Sequence, residues 1–191
     1  DIRLLTIYPS SSGEPLSCHL AHHALGTAPG YEAISYVWGD SSFTHLIFCD
    51  GKSVAVTNSL YEVLCRLRQP HEPRIIWIDG VCIDQSNKVE RGQQVQLMGD
   101  IYREADRVII WFGADPEGLA PIVFDRCLRI SEQDFHGFRL ADRLELTGPM
   151  NRFAECSWFE RTWVIQELVL AKTAWVIWGK CEISWNHIQT A

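Results

Sequence analysis

Two short runs, Arg74-Ile75-Ile76-Trp77-Ile78-Asp79 and Arg107-Val108-Ile109-Ile110-Trp111-Phe112, bracket a helical pattern and constrain this chain more than any other feature in it. Each run is rich in β-branched and aromatic residues and too short for a helix, as suits a strand covered on both faces. Between them a polar turn, Gly80 to Asn87, leads into a helix that carries Val95, Met98, Ile101, Tyr102 and Ala105 along one face. Asn87, with Glu90 three residues on, has the form of a capping box. Strand, helix and strand within about forty residues make a βαβ unit, whose strands pair parallel through a right-handed crossover. In such sheets ligands bind beyond the carboxyl ends of the strands. Those ends carry Asp79, Cys82, Asp84 and Gln85 on one side and Trp111 to Asp115 on the other.

Around this unit the remaining segments fall into place. Ile2 to Tyr8 predicts a first strand stopped by Pro9. Leu16 to Leu25 stays open between strand and loop. Its Cys18, His19, His22 and His23 offer at most two metal ligands on one side, so ordinary strand or loop histidines are expected. Tyr31 to Asp40 begins as a strand and runs into a Gly-Asp turn, and Thr44–Cys49 with Ser53–Val56 flank Asp50-Gly51-Lys52 as a hairpin. Ser59 with Glu62 is expected to cap a helix through Leu60, Val63, Leu64 and Leu67 that ends before Pro70. Residues of about 115–156, richer in charge, Gly and Pro, read as an insertion with a short helix at Ile122–Ile130. From Ser157 a further helix is expected, with Phe159, Trp163, Gln166, Glu167 and Leu170 along one side, then a strand at Ala174–Trp178. The expected fold is α/β: a mostly parallel sheet flanked by helices, with an added β-hairpin and a helical insertion.

Length and charge narrow the function. At 191 residues the chain fits one domain, and a formal charge of −7 without a basic run argues against binding to a nucleic-acid backbone. The seven cysteines, at 18, 49, 65, 82, 127, 156 and 181, contain no C-x-x-C pair and sit mostly in apolar runs. They suit a reducing, cytoplasmic setting. No apolar stretch reaches the length of a membrane span. The start at Asp1 and the stop within Ser184-Trp185-Asn186-His187-Ile188 predict one module, N-terminal or excised, of a longer protein.

Several side chains near the strand ends have two readings each. Glu167 lies one helical turn after Trp163, on a half-buried side. It is either a catalytic carboxylate holding ribose hydroxyls and stabilising an oxocarbenium-like centre, or half of a structural ion pair with Arg161 or Arg91. Trp38 and Gly39 suit ring stacking and close approach of a phosphate, or a core aromatic and a turn glycine. Ser35 and Tyr36 bring hydroxyls to the same region. Asp79 and Asp84 suit magnesium in a nuclease or phosphatase, though Asp79 equally caps a turn and no third carboxylate is near. Cys82 is a nucleophile or a buried, inert thiol. Arg91 and Gln94 suit an anion or a nucleotide edge, or, for Arg91, a solvated salt bridge.

Three blocks together resemble the fungal heterokaryon-incompatibility (HET) domain. They are Ala33-Ile34-Ser35-Tyr36-Val37-Trp38-Gly39, Trp77 to Gln85 with Glu90-Arg91 and Gln94-Val95, and Trp158 to Leu168. Asp84 stands where that family usually has Asn. The resemblance extends distantly to TIR domains, since Tyr31 to Tyr36 is similar to the TIR first-strand box and Trp163-Val164-Ile165-Gln166-Glu167-Leu168 to Trp-Cys-x-x-Glu-Leu, with Val164 in place of Cys. The resemblance implies a TIR-like, flavodoxin-like sheet and an effector or signalling domain of fungal non-self recognition that triggers regulated cell death. It further implies cleavage of NAD⁺ or a related nucleotide with Glu167 as the catalytic carboxylate. Ser35, Tyr36, Trp38, Gly39, Asp79, Cys82, Asp84, Gln85, Arg91 and Trp163 then line the substrate site. No metal or bound cofactor is expected. Partners are expected to be the nucleotide, further copies of the chain and a regulatory sensor domain or protein. A catalytically silent, self-associating adaptor and a metal-dependent nuclease are the alternatives.

Overall fold

The structure, a computed structural model, describes residues 1–11, 13–132 and 140–190. Its strands are β1 (Ile2–Ile7), β2 (Ser17–His23), β3 (Glu32–Tyr36), β4 (Phe43–Cys49), β5 (Lys52–Thr57), β6 (Arg74–Trp77), β7 (Arg107–Trp111), β8 (Ala174–Trp178) and β9 (Cys181–Ser184). The helices are α1 (Asn58–Leu67), α2 (Asp79–Cys82), α3 (Lys88–Glu104), α4 (Ala120–Ser131), α5 (Leu140–Ala154), α6 (Val164–Val169) and α7 (Trp185–Ile188).

The strands form one mixed sheet in the order β5-β4-β2-β1-β6-β3-β7-β8-β9. Strands β6, β3, β7 and β8 pair in parallel, as do β2 and β4 over a short contact. Strand β1 is antiparallel to both β2 and β6, and β4–β5 and β8–β9 are antiparallel hairpins. The sheet is therefore mixed rather than mostly parallel. Parallel neighbours need long crossovers, whereas the tight turns at Asp50-Gly51 and Gly179-Lys180 can join only antiparallel strands.

Burial follows position in the sheet. Ala33, Ile34, Ser35 and Tyr36 of β3 are all buried, as are Val108 to Trp111 of β7, because both faces of the central strands are covered. Helix α1 packs Leu60, Val63, Leu64 and Leu67 inward and contacts β4 and β5. Helix α3 buries Gln94, Met98, Ile101 and Tyr102 and packs against α6. Val95, expected on its inner face, is exposed.

Capping differs in detail from the sequence signals. Thr57, not Ser59, caps α1 by accepting the Leu60 N–H, while the Ser59 hydroxyl donates to the Val37 carbonyl. Asn87 caps α3 by accepting the N–H groups of Val89 and Glu90. The Glu90 carboxylate does not close the box but takes Arg3 and the Asp84 N–H. The polar turn after β6 winds into the one-turn α2. The expected insertion contains α4 and α5, with residues 133–139 outside the described part. The single helix expected from Ser157 is broken: a 3₁₀ turn at Ser157–Glu160 and a bend at Arg161 precede α6, which is only six residues long. That break shapes the site below.

Candidate functional site

Because β3 and β6 are parallel neighbours, their carboxyl ends emerge side by side. From β3 the chain leaves through Val37, Trp38 and Gly39. From β6 it passes through Ile78 into Asp79. Gly39 has φ +67°, the left-handed region that suits glycine, and so turns the chain away behind Trp38. These two strand ends, the start of α3 and the bend before α6 enclose a cleft of about 420 Å³. Val37, Ile83, Val95 and Met98 supply its apolar wall. Asp79, Gln85, Arg91 and Arg161 supply its polar groups. Trp38 and Trp163 also line it, 44% and 47% exposed.

Asp79 sits where the cleft meets the sheet. Its Oδ2 accepts the Trp38 indole N–H at 3.0 Å, and its backbone carbonyl accepts the Gln85 amide at 2.8 Å. Its Oδ1 is buried and makes no well-formed hydrogen bond, with the Tyr36 hydroxyl and the Gly80 N–H beside the carboxylate. Burial pushes the carboxyl pKa up from 3.8 to about 6, against the opposing pull of the Trp38 hydrogen bond and the Arg161 charge. The Tyr36 hydroxyl lies close behind, where burial first and the Asp79 charge second hold its pKa well above the usual range. A β-carbon on Gly80 would stand 2.5 Å from that hydroxyl, so glycine is what lets α2 approach β3.

Glu167 occupies a second, deeper layer. It is 1% exposed and takes a forked contact from Arg161, Nη2 to Oε1 at 3.0 Å and Nη1 to Oε2 at 3.2 Å. The Ser35 hydroxyl also donates to Oε2. Ser35 in turn accepts the Trp158 indole N–H at 2.7 Å and Arg161 Nη1 at 3.1 Å. The guanidinium therefore separates Glu167 from the cleft: Arg161 lines the hollow and Glu167 does not. Of the two partners considered from sequence, Arg161 is the one engaged. Among the described residues no ion pair involves Arg91, which faces the cleft.

Trp38, Gly39, Asp79, Gln85, Arg91 and Trp163 thus come together in one hollow. Ser35, Tyr36 and Glu167 lie buried behind it. Three other candidates lie elsewhere. Cys82 is buried, its Sγ is 3.5 Å from the Ile78 N–H, and burial pushes its thiol pKa up to about 12, the setting of a structural rather than a reactive cysteine. Asp84 is exposed and is occupied by the Ser86 N–H and hydroxyl at 3.0 and 2.6 Å, as expected of a loop ahead of a helix cap. Gln94 is buried and donates to the Asp1 carbonyl at 2.9 Å. Among the described residues no three His, Cys, Asp or Glu side chains are grouped to hold a metal ion. The other strand end, Trp111 to Asp115, contributes to a separate, largely apolar hollow of about 610 Å³. Trp158 carried no site signal in the sequence, and Arg161 entered only as an ion-pair partner of Glu167, not as a residue of the cleft. A spacing of six residues is not helical, and only the break at Arg161 folds that side chain back onto Glu167.

The family model described as heterokaryon incompatibility protein (HET) matches residues 31–167. The chain belongs to the HET family. The matched segment runs from the start of β3 to Glu167 and contains every residue that lines the cleft. This HET chain is 30% identical over 215 aligned residues to "Heterokaryon incompatibility protein 6, OR allele" of Neurospora crassa, covering 88% of this chain and 32% of the relative. It is 25% identical over 147 residues to "Vegetative incompatibility protein HET-E-1" of Podospora anserina, covering 75% of this chain and 9% of that protein. The HET chain thus spans a third or less of the length of these curated relatives. No solved structure matches it. Among the described residues no helix is long and apolar enough to cross a membrane.

Proposed function

We propose that this HET domain is an effector module of fungal non-self recognition that triggers regulated cell death, and that its cleft binds and cleaves NAD⁺ or a related nucleotide at the N-glycosidic bond. The names of the relatives, both incompatibility proteins, support the first half. The observation that carries the second is the composition of the cleft: two exposed indoles, two arginines and one carboxylate around a hollow at the strand ends. Indoles stack nicotinamide or adenine rings, guanidinium groups pair with phosphates, and a carboxylate in a partly dry site stabilises positive charge as the nicotinamide leaves. The parallel strands β6-β3-β7-β8, ranked by chain position, run 2-1-3-4. That is the flavodoxin-like order, and it supports a TIR-like relationship. The nucleotide is substrate, so the reaction needs neither metal nor bound cofactor. Glu167 acts as a positioning residue that fixes Arg161 at the cleft wall. For its carboxylate to touch substrate directly, Arg161 has to swing away. Activation is by proximity: copies of the domain associate in the cytoplasm, driven by a regulatory sensor domain or protein.

A second reading, a catalytically silent adaptor, draws on one observation. Ile165 and Val169, one turn apart on α6, are 69% and 74% exposed, a small apolar face suited to self-association. The two readings separate in one assay. The self-associated protein, incubated with NAD⁺, releases nicotinamide, and Trp38→Ala and Trp163→Ala each cut release at least tenfold. If the assembled wild-type protein neither binds NAD⁺ at millimolar concentration nor releases nicotinamide, the adaptor reading holds instead.

A further inference from the structure

Two carboxylates flank the Arg161 guanidinium, and only one of them meets the cleft. Glu167 is saturated: both oxygens are held by Arg161, and one also by Ser35. Asp79 is not. One oxygen is tied to Trp38, and the other, Oδ1, makes no well-formed hydrogen bond, with only the Tyr36 hydroxyl and the Gly80 N–H beside the carboxylate. A buried acceptor that is not fully bonded is costly, and it has capacity for a further donor from water or a ligand. Of the buried side-chain oxygens without a well-formed hydrogen bond among the described residues, Asp79 Oδ1 belongs to a residue lining the cleft, whereas Gln94 Oε1 does not.

The Trp38–Asp79 hydrogen bond adds a geometric statement. It fixes an exposed aromatic ring beside the carboxylate of Asp79, and both residues line the cleft. In a ribonucleotide the stacking ring and the ribose hydroxyls are separated by one glycosidic bond, so a site for both needs that adjacency. Arg91 and Arg161, on the same cleft, stand where the phosphate can be met. Gly80 and the buried Tyr36 hydroxyl back Asp79 tightly, which fixes α2 and the residue that opens it.

We infer that Asp79, rather than Glu167, is the carboxylate that accepts the ribose hydroxyls of the nucleotide, and that it gives the cleft its preference for ribonucleotides over deoxyribonucleotides. This rests on the nucleotide reading of the cleft given above. Asp79 is a binding residue in direct contact with the sugar, and Glu167 a positioning residue acting through Arg161.

The test is a fluorescence titration with nicotinamide mononucleotide and its 2′-deoxy analogue, using indole quenching as the readout, on wild type, Asp79→Asn and Glu167→Gln. Wild type favours the ribose form at least tenfold. Asp79→Asn weakens binding of the ribose form about tenfold and reduces the preference to threefold or less, while its melting shows a folded protein. Glu167→Gln keeps the preference. If Asp79→Asn binds both ligands as wild type does, or if Glu167→Gln is the variant that erases the preference, the inference is overturned. Binding with an Asp79-dependent preference but no nicotinamide release from NAD⁺ sinks the cleavage reading and leaves the ribose contact standing. Absence of any binding at millimolar concentration overturns both.

Discussion

Replacing Arg161 by alanine isolates the buried carboxylate at the centre of the molecule. Wild-type Glu167 is 1% exposed and receives two hydrogen bonds from Arg161, at 3.0 and 3.2 Å, plus that of Ser35. In Arg161→Ala the Ser35 hydroxyl is the remaining one of these contacts, so a charge is left in the core with one weak neutral donor. Removing one member of a buried pair costs about 3–5 kcal/mol. The guanidinium borders the cleft, so water can enter the space it vacates, which places the loss near 3 kcal/mol. For a domain of this size each kcal/mol moves the melting midpoint by about 2–4 °C, so a drop of roughly 6–12 °C is expected. Calorimetry or urea unfolding at pH 7 reads it directly. The double variant Arg161→Ala/Glu167→Gln removes the stranded charge and should recover about 1–2 kcal/mol of the loss, a coupling expected only of groups in contact. A loss below about 1 kcal/mol for Arg161→Ala, or strictly additive single variants, would refute the ion pair and return Glu167 to the cleft as the reacting group.

Other perturbations probe neighbouring parts of the same design. Asp79 carries a folded pKa of about 6 against an ordinary 3.8, so the native state holds the extra proton between those values and its charge destabilises the fold above about pH 6. Asp79→Asn should therefore stabilise the protein at pH 8 by up to about 3 kcal/mol, with the gain fading as pH falls from about 6 to 4; constant or absent stabilisation contradicts this. Glu32 behaves in the opposite sense. Burial opposes its charge, but Arg74 and then Arg107 outweigh that and hold its pKa below the ordinary 4.5. Its contribution is present above about pH 4.5 and lost on further acidification, so Glu32→Gln should cost about 2 kcal/mol at pH 7 and little at pH 3 in unfolding titrations. Gly80→Ala places a methyl group 2.5 Å from the Tyr36 hydroxyl and 3.1 Å from Leu60 Cδ2 and should cost about 1–3 kcal/mol. Gly92→Ala in α3 meets nothing within 4 Å and should stabilise by about 0.5–1 kcal/mol; equal effects at the two glycines would refute the packing account.

What could be read from sequence alone followed from local physics. The strands at Arg74 and Arg107 were legible because strands buried on both faces must be apolar throughout, and the Asp50-Gly51 hairpin because its turn demands special residues. Strand β9 was not, since Cys181-Glu182-Ile183-Ser184 has one buried aliphatic and no usable period. The antiparallel place of β1 between β2 and β6 is a non-local pairing that no window of sequence encodes. At the site, Trp38, Asp79 and Arg91 could be named because strand ends and helix starts locate ligand crevices. The depth of Glu167 could not, because helical periodicity from Phe159 to Leu170 presumed an unbroken helix. The backbone instead turns at Arg161 and folds its side chain over the carboxylate. Cys82 and Asp84 lie away from the cleft for a related reason: the one-turn α2 points the first inward, and the loop before α3 holds the second in solvent.

Where a nucleotide settles on this domain is the decisive observation. Indole N–H resonances of Trp38 and Trp163, assigned by substitution and followed by NMR during addition of NAD⁺, should shift first and saturate together. The buried indoles of Trp77 and Trp158 should move little. Unmoved Trp38 and Trp163 signals at millimolar NAD⁺, or shifts confined to Trp111 beside the separate apolar hollow, would contradict a nucleotide cleft at the ends of β3 and β6.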